Sequence, residues 1–473
     1  MTERRKGRRS RRWLLVPGAL LLFVFYFVLG AWLPNLGHKE VSGEFRVRAA
    51  RMVYTSDQSG GEEVAYLDDN VEAMEFRLAM AEAAEEEIIL STFDFDADPA
   101  GKELLAALLH AAGRGVEVKV LVDGLSGWMD LTASGWFQAL AASEHAEIKI
   151  YNPINPFLPW RTMYRLHDKY FIVDGEMYLL GGRNSTDLFL GDYSGEQNID
   201  SEVFVRRTGE GDSVEQLLRY FDRVWNLPEC EDYRCDGPAR ASRRAKELAG
   251  IYEGLRETYP AAFEPEYLER VETVPANRIT LLSNPVEAEN KAPELWCAMM
   301  ELLKGGGDVL VHTPYLILSG EMEADLAGVR DTVGAFTLIL NDVTSGANPW
   351  GCVDYLNEKE NILATGITVG EYLGAHSLHT KNVLMDDRLC LVGSFNFDMR
   401  SAYLDTELML VIDSAELNAQ LREAAMTELD HCRLVSREGE TLGPDFQPRA
   451  LEGSKRFTYA VLRRLIRPFR CLL

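Results

Sequence analysis

Positive charge is scarce in the body of this chain. Net charge is −25; residues 1–12 and residues 455–473 each carry +6, which leaves −37 on residues 13–454. A body that acidic repels a phosphate backbone at long range, so no nucleic-acid partner is expected. Cysteine is also sparse: the seven thiols cannot all pair internally. Only Cys230 and Cys235 lie close in sequence, spaced C-x₄-C in a loop-like stretch, and they read either as a small disulfide or as two free thiols. They lack the His or Cys neighbours that a zinc site would need. The other five are scattered and read as packing residues or, for Cys471, tail. Long polar repeats are absent as well, so the body is globular, and with 47% hydrophobic residues it can fill two domain cores.

What the chain does have is one long uncharged run. Residues 13–33 read WLLVPGALLLFVFYFVLGAWL, enough to span a hydrocarbon core as a helix. Arg4, Arg5, Lys6, Arg8, Arg9, Arg11 and Arg12 precede it, a cluster expected to stay cytoplasmic. The expected localisation is therefore the cell membrane, single-pass, with the remaining chain extracytoplasmic. A cleavable signal peptide is the alternative, since Val28-Leu29-Gly30 offers small residues before Ala31. At the other end, residues 455–473 alternate basic and apolar residues at helical spacing up to Pro468. They read as an amphipathic membrane-surface tail or as a solvated helix packed on the body.

Between these ends the chain repeats itself. HDKYFIVDGEMYLLGGRN (167–184) and HTKNVLMDDRLCLVGSFN (379–396) both obey H-x-K-x₄-D-x₆-G-x₂-N. At ordinary residue usage, two chance matches have a probability on the order of 10⁻⁸. The surroundings repeat too. In the first half a helix over 71–84, a strand over 87–95, a helix over 101–115 and a strand over 116–124 are predicted. In the second half the same order is predicted over 293–306, 308–316, 321–331 and 336–342. IDSEVFV (199–205) is answered by LDTELMLVI (404–412). Apolar strands alternating with helices indicate α/β units, each a mixed sheet flanked by helices. The units are placed at residues 60–240 and 275–435, with a charged helical connector between them.

In a strand, residues i and i+2 face the same way, so His167 projects with Lys169 and His379 with Lys381. A neutral imidazole can form a covalent phosphoryl intermediate, and a second can protonate the leaving alkoxide and then deprotonate the incoming hydroxyl. The lysines supply positive charge for equatorial oxygens, while Asn184, Asn396 and Ser394 add hydrogen bonds to a phosphate. Each imidazole needs an acceptor for its other N–H; the candidates are Asp200 or Glu202 in the first half and Glu407 in the second, with Asp405 behind it. Asp174 and Asp386 complete the catalytic motif, where they end their strands and brace the turn and the lysine. His110, His145, His312 and His431 read as packed core residues. His376 and His379 sit three apart, as metal ligands can, but the first repeat has no equivalent of His376 and the adjacent lysine disfavours a cation. No metal is expected.

The duplicated H-x-K-x₄-D with its trailing G-[GS]-x-N resembles the phospholipase D superfamily, over most of residues 60–435. Within it, GGRN (181–184), GSFNFDMRS (393–401), DTEL (405–408) and the two basic ends are similar to bacterial cardiolipin synthases. That resemblance implies two similar α/β domains related by a pseudo-two-fold, with one site at their interface. It implies transfer of a phosphatidyl group from one phosphatidylglycerol to another with release of glycerol, no cofactor, and a membrane phospholipid as partner. One of His167 and His379 would attack phosphorus and the other act as acid and then base; the pseudo-symmetry leaves the direction open, with His167 preferred as nucleophile. A phospholipase D that hydrolyses phospholipid, a phosphatidylserine synthase and a nuclease of the same superfamily are the alternatives. Gly182 stands where the second motif has Ser394, so the two halves are not equivalent around the phosphate. Oligomeric state is not legible.

Overall fold

The computed structural model describes the backbone from residue 3 to residue 473, apart from 133 and 194, and side chains from residue 16 onward. The fold is two mixed sheets, each flanked by helices, built with one strand order used twice. In the first sheet the order is Val274–Ala276, Glu62–Leu67, Glu202–Arg207, Met177–Gly181, Tyr170–Val173, Glu87–Thr92, Glu117–Asp123, Ala146–Tyr151, Cys230–Tyr233. In the second it is Arg278–Ser283, Leu408–Asp413, Leu389–Gly393, Asn382–Met385, Asp308–His312, Ala335–Asn341, Thr368–Tyr372, Cys432–Ser436, Gly439–Leu442. Three central strands in each sheet run parallel through helical crossovers and the rest pair antiparallel.

Local sequence explains the elements. The crossover helix Pro99–Arg114 starts with Asp98 accepting from the Gly101 N–H, with Pro99 in its first turn, and stops at Gly115, whose φ of 97° few other residues adopt. Its face of Leu104, Leu105, Leu108 and Ala111 is buried against the strand Glu117–Asp123, whose Val118, Val120 and Val122 are equally buried. Burial of each such side chain contributes about 1.5–3 kcal/mol. The other face of the first sheet shares one continuous core with the second unit, Ile89, Leu121, Ile172 and Val203 joining Val311, Leu338, Val383 and Leu410. That shared core fixes the two halves against each other.

The structure sets the unit edges differently from the sequence pattern. The connector helix Pro238–Thr258 is part of the first unit, with Leu248, Tyr252 and Leu255 buried in its core and His110 stacked on Tyr252 at 3.8 Å. Val274–Ala276 then returns to pair with Glu62–Val64, so the first sheet runs to residue 276 and the second starts at 278. The second sheet continues through the hairpin to Leu442. Cys230 and Cys235 are free thiols, not a disulfide; Cys230 Sγ instead contacts the Val224 carbonyl at 3.1 Å. His312 is buried, but His145 is a surface residue paired with Glu117.

The N-terminal helix Glu3–Trp32 runs into the short turn Leu33–Asn35, and the apolar stretch Val16–Asn35 across the two is long enough to cross a membrane and almost wholly unburied. The side chains of the basic cluster at 4–12 lie outside the described residues. At the C-terminus, Gly453–Leu465 is helical and packs on the body. Tyr459 and Ile466 are buried against Cys352 and Val353, and Arg470 pairs with Asp354 at 2.6 Å. Phe457, Val461 and Leu465, four residues apart, remain exposed.

The two motif aspartates are turn braces. Asp174 and Asp386 both sit at φ 52°, a left-handed conformation that Asp tolerates better than most residues. Asp174 accepts from the backbone N–H groups of Glu85, Glu86 and Glu87, and Asp386 from those of Gly307 and Asp308. Neither carboxylate pairs with a motif lysine. Asp174→Ala is therefore expected to lower stability by about 2 kcal/mol, measured as an earlier urea midpoint.

Candidate active site

His167 and Lys169 lie on an extended lead-in just before the ladder strand Tyr170–Val173; His379 and Lys381 hold the same place before Asn382–Met385. Each lead-in is pinned by the opposite half. Leu166 bridges to Thr406, and Leu378 pairs with Ile199. The His167 N–H donates to Thr406 Oγ1 at 3.1 Å, and the His379 N–H to the Ile199 carbonyl at 2.6 Å.

The carboxylate partners are crossed between the halves. His167 Nδ1 lies 2.8 Å from Glu407 Oε1, and His379 Nδ1 lies 2.6 Å from Asp200 Oδ2. The sequence echo of DSE and DTE is out of register with the structure. Gly181 pairs with Glu202 while Gly393 pairs with Met409, so Asp200, not Glu202, is the counterpart of Glu407. A two-residue offset preserves the face of a strand and hides in the sequence. Glu202 instead forms a buried two-pronged pair with Arg77, both bonds 2.7 Å. Asp405 pairs with Arg400 at 2.9 Å.

The change of length from Glu407 to Asp200 explains the missing hydroxyl. Ser394 Oγ donates to Glu407 Oε2 and Ser401 Oγ to Glu407 Oε1, so Ser394 positions the carboxylate and does not line the cavity. At the matching position a Cβ on Gly182 would run into the Asp200 carboxylate. The shorter acid needs the glycine.

Both histidines open onto one cavity of about 750 Å³. Asn184 and Asn396 line it, each with its amide oxygen lacking a protein partner. Lys169 and Lys381 stand behind the histidines. Lys169 Nζ donates to the His167 carbonyl at 2.6 Å, and Lys381 Nζ reaches the His379 carbonyl and lies 3.2 Å from its Nε2. Burial lowers the Lys169 ammonium to about 8 and the Lys381 ammonium to about 7, the like charge of Lys169 adding to the latter. Burial and Lys169 push His167 well below its ordinary value; burial and Lys381 bring His379 to about 4. Burial also raises Glu407 to about 8, whereas Asp200, despite its burial, is held below the usual carboxylate range by Lys381 and His379.

Several lining residues have no motif signal. Phe93 meets His167 edge-on at 5.4 Å, and Phe189 meets His379 at 4.9 Å. Arg165 and Arg400 also line the wall. Strand ends facing a site are the only sequence cue, and it points to too many positions. Chemically the arrangement offers two imidazoles that burial keeps neutral, each with an acidic side chain on Nδ1, and a lysine beside each.

A family model described as "Cardiolipin synthase, PLD-like domain" matches residues 78–225 and 304–427. The chain belongs to this family. Among its relatives, cardiolipin synthase C of Escherichia coli K12 is 28% identical over 406 residues, 75% of this chain and 82% of that one. Cardiolipin synthase B of Salmonella typhi is 29% identical over 347 residues, 72% and 74% of the two chains. In fold, the crystal structure of phosphatidylserine synthase from Haemophilus influenzae Rd KW20 superposes with a TM-score of 0.64 at 17% identity, covering 91% of this chain and 99% of that one.

The depressed histidines make stability pH-dependent. Between about pH 6.5 and about 4 the unfolded chain protonates His379 and the folded protein does not. The unfolded state then binds more protons, so stability is full above this window and falls as pH drops through it. His379→Gln removes this contribution, and the difference in urea midpoint between wild type and variant is expected to shrink on acidification.

Proposed function

We propose that this protein is a membrane-anchored phosphatidyltransferase of the cardiolipin synthase type, joining two phosphatidylglycerols with release of glycerol. The observation that carries the reading is the pair of histidines, each with its own buried carboxylate, facing one cavity with a largely apolar wall.

In the first step His167 Nε2 attacks phosphorus, a P–N bond forms, and the P–O bond to glycerol breaks as His379 gives its proton to the departing oxygen. In the second, His379 takes the proton of a hydroxyl on the second phosphatidylglycerol. That oxygen attacks phosphorus, and the P–N bond breaks. Asp200, held below the usual carboxylate range, suits a histidine that must carry an extra proton better than Glu407, which burial raises, and this supports His379 as acid and base. The anionic phosphodiester raises His379 from its resting value and supplies the condition for that protonation. Lys169 and Lys381 are suited to hold the equatorial oxygens, with Asn184 and Asn396 as further hydrogen-bonding groups. The basic residues at 4–12 face the cytoplasm and the catalytic body lies on the other side of the membrane.

Purified full-length protein in phosphatidylglycerol vesicles is expected to yield cardiolipin and glycerol by mass spectrometry. Phosphatidic acid without cardiolipin would replace the synthase reading with a hydrolase. His167→Ala and His379→Ala should each lose activity on the order of 10³-fold or more. Gly182→Ser, which pushes Asp200 away from His379, should cost on the order of 10²-fold, while Ser394→Gly should cost about tenfold. The reverse ranking would contradict the assignment of Gly182 to the shorter acid.

A further inference from the structure

The loop at residues 155–160, reading NPFLPW, lies against the N-terminal helix. Phe157 meets Phe23 edge-on at 6.2 Å, and Tyr26 donates its hydroxyl to the Phe157 carbonyl at 2.8 Å. Gly30 abuts Pro159 so closely that a Cβ would overlap the ring. Trp160 shares a shallow apolar groove with Phe25, Leu29 and Leu33.

These contacts fix a depth. The apolar stretch ends outward at Asn35. At about 1.5 Å per residue, Tyr26 and Phe23 lie roughly 14 and 18 Å further in, against a hydrocarbon core of about 30 Å. Phe157 thus sits level with the middle of the membrane-crossing stretch, while Trp160 sits nearer its outer end.

The loop is built for such a place. Pro156 and Pro159 have no N–H, and the two donors between them both go to Asn155: Phe157 N–H to its Oδ1 at 3.0 Å and Leu158 N–H to its carbonyl at 2.9 Å. The carbonyls of Phe157, Leu158 and Pro159 accept from Tyr26, Arg161 and Thr162. Irregular backbone at membrane depth needs its polar groups satisfied by the protein, and these five groups of the loop are. No residue from 152 to 160 is charged. Phe157 is 73% exposed, a cost in water that disappears among acyl chains.

We propose that residues 155–160 form a wedge inserted among the acyl chains of the outer leaflet. Ile154 before the loop and Thr162 and Met163 after it line the catalytic cavity, so the wedge sets the mouth of the cavity against the bilayer. Leu125 and Leu188, which line the same cavity, are further exposed apolar side chains. Lipid then reaches the histidines from the leaflet and does not cross water. The wedge rests on the reading of the N-terminal helix as a membrane span.

The test places the photoreactive amino acid p-benzoylphenylalanine, one site at a time, at Leu22, Phe157, Trp160 and Met426 of the full chain. Leu22 reports on the span itself; Met426 is as exposed as a rim residue but lies outside the cavity. Each protein is irradiated in vesicles of phosphatidylglycerol and phosphatidylethanolamine and its mass measured. Lipid adducts at Leu22, Phe157 and Trp160, at least about fivefold above Met426, are expected. Adducts at Leu22 with Phe157 and Trp160 no higher than Met426 would overturn the wedge and leave the span standing, as would protein–protein adducts at Phe157 in place of lipid. Failure at Leu22 as well would overturn both.

Discussion

An imidazole held in a buried site must place its second ring nitrogen against an acceptor, and in this protein each acceptor belongs to the opposite half of the chain. His167 leans on Glu407 and His379 on Asp200. Neither half supplies both members of a histidine–carboxylate pair, so the four groups come together only where the two sheets meet. The continuous core across that junction and the short ladder between Leu378 and Ile199 are what hold the four groups in register. Small shifts between the units would lengthen bonds of 2.6 and 2.8 Å and release both imidazoles together.

The asymmetry inside this pseudo-symmetric centre follows from one methylene. Glu407 reaches its histidine from further back and fills the space with the Ser394 and Ser401 hydroxyls. Asp200 is shorter, approaches closer to the backbone and requires Gly182. Their surroundings push the two carboxyls in opposite directions, Glu407 up by burial and Asp200 down by Lys381 and His379.

Much of this was legible in the residues. The repeated His, Lys and Asn spacing picks out side chains that the fold gathers about one cavity, and alternating apolar strands and helices point to the α/β class. Register and partnership were not legible. DSE and DTE look equivalent, yet a slip of two residues exchanges Glu202 for Asp200 without changing the strand face. Asp174 and Asp386 share the motif spacing but serve the turn, because their left-handed backbone aims each carboxylate at neighbouring N–H groups. The connector helix read as a linker from its charge, although Leu248, Tyr252 and Leu255 make it core. Its mean pattern is polar, and four buried positions in 21 residues are a weak signal.

The crossed pairing is tested most directly by nitrogen-15 NMR of histidine-labelled protein, following the ring signals of His167 and His379 in Asp200→Asn and Glu407→Gln. The account requires Glu407→Gln to move the His167 ring signals and titration while leaving His379 in place, and Asp200→Asn to do the reverse. If Asp200→Asn acted on His167, or Glu407→Gln on His379, each half would be supplying its own carboxylate and the account of a centre shared between halves would be wrong.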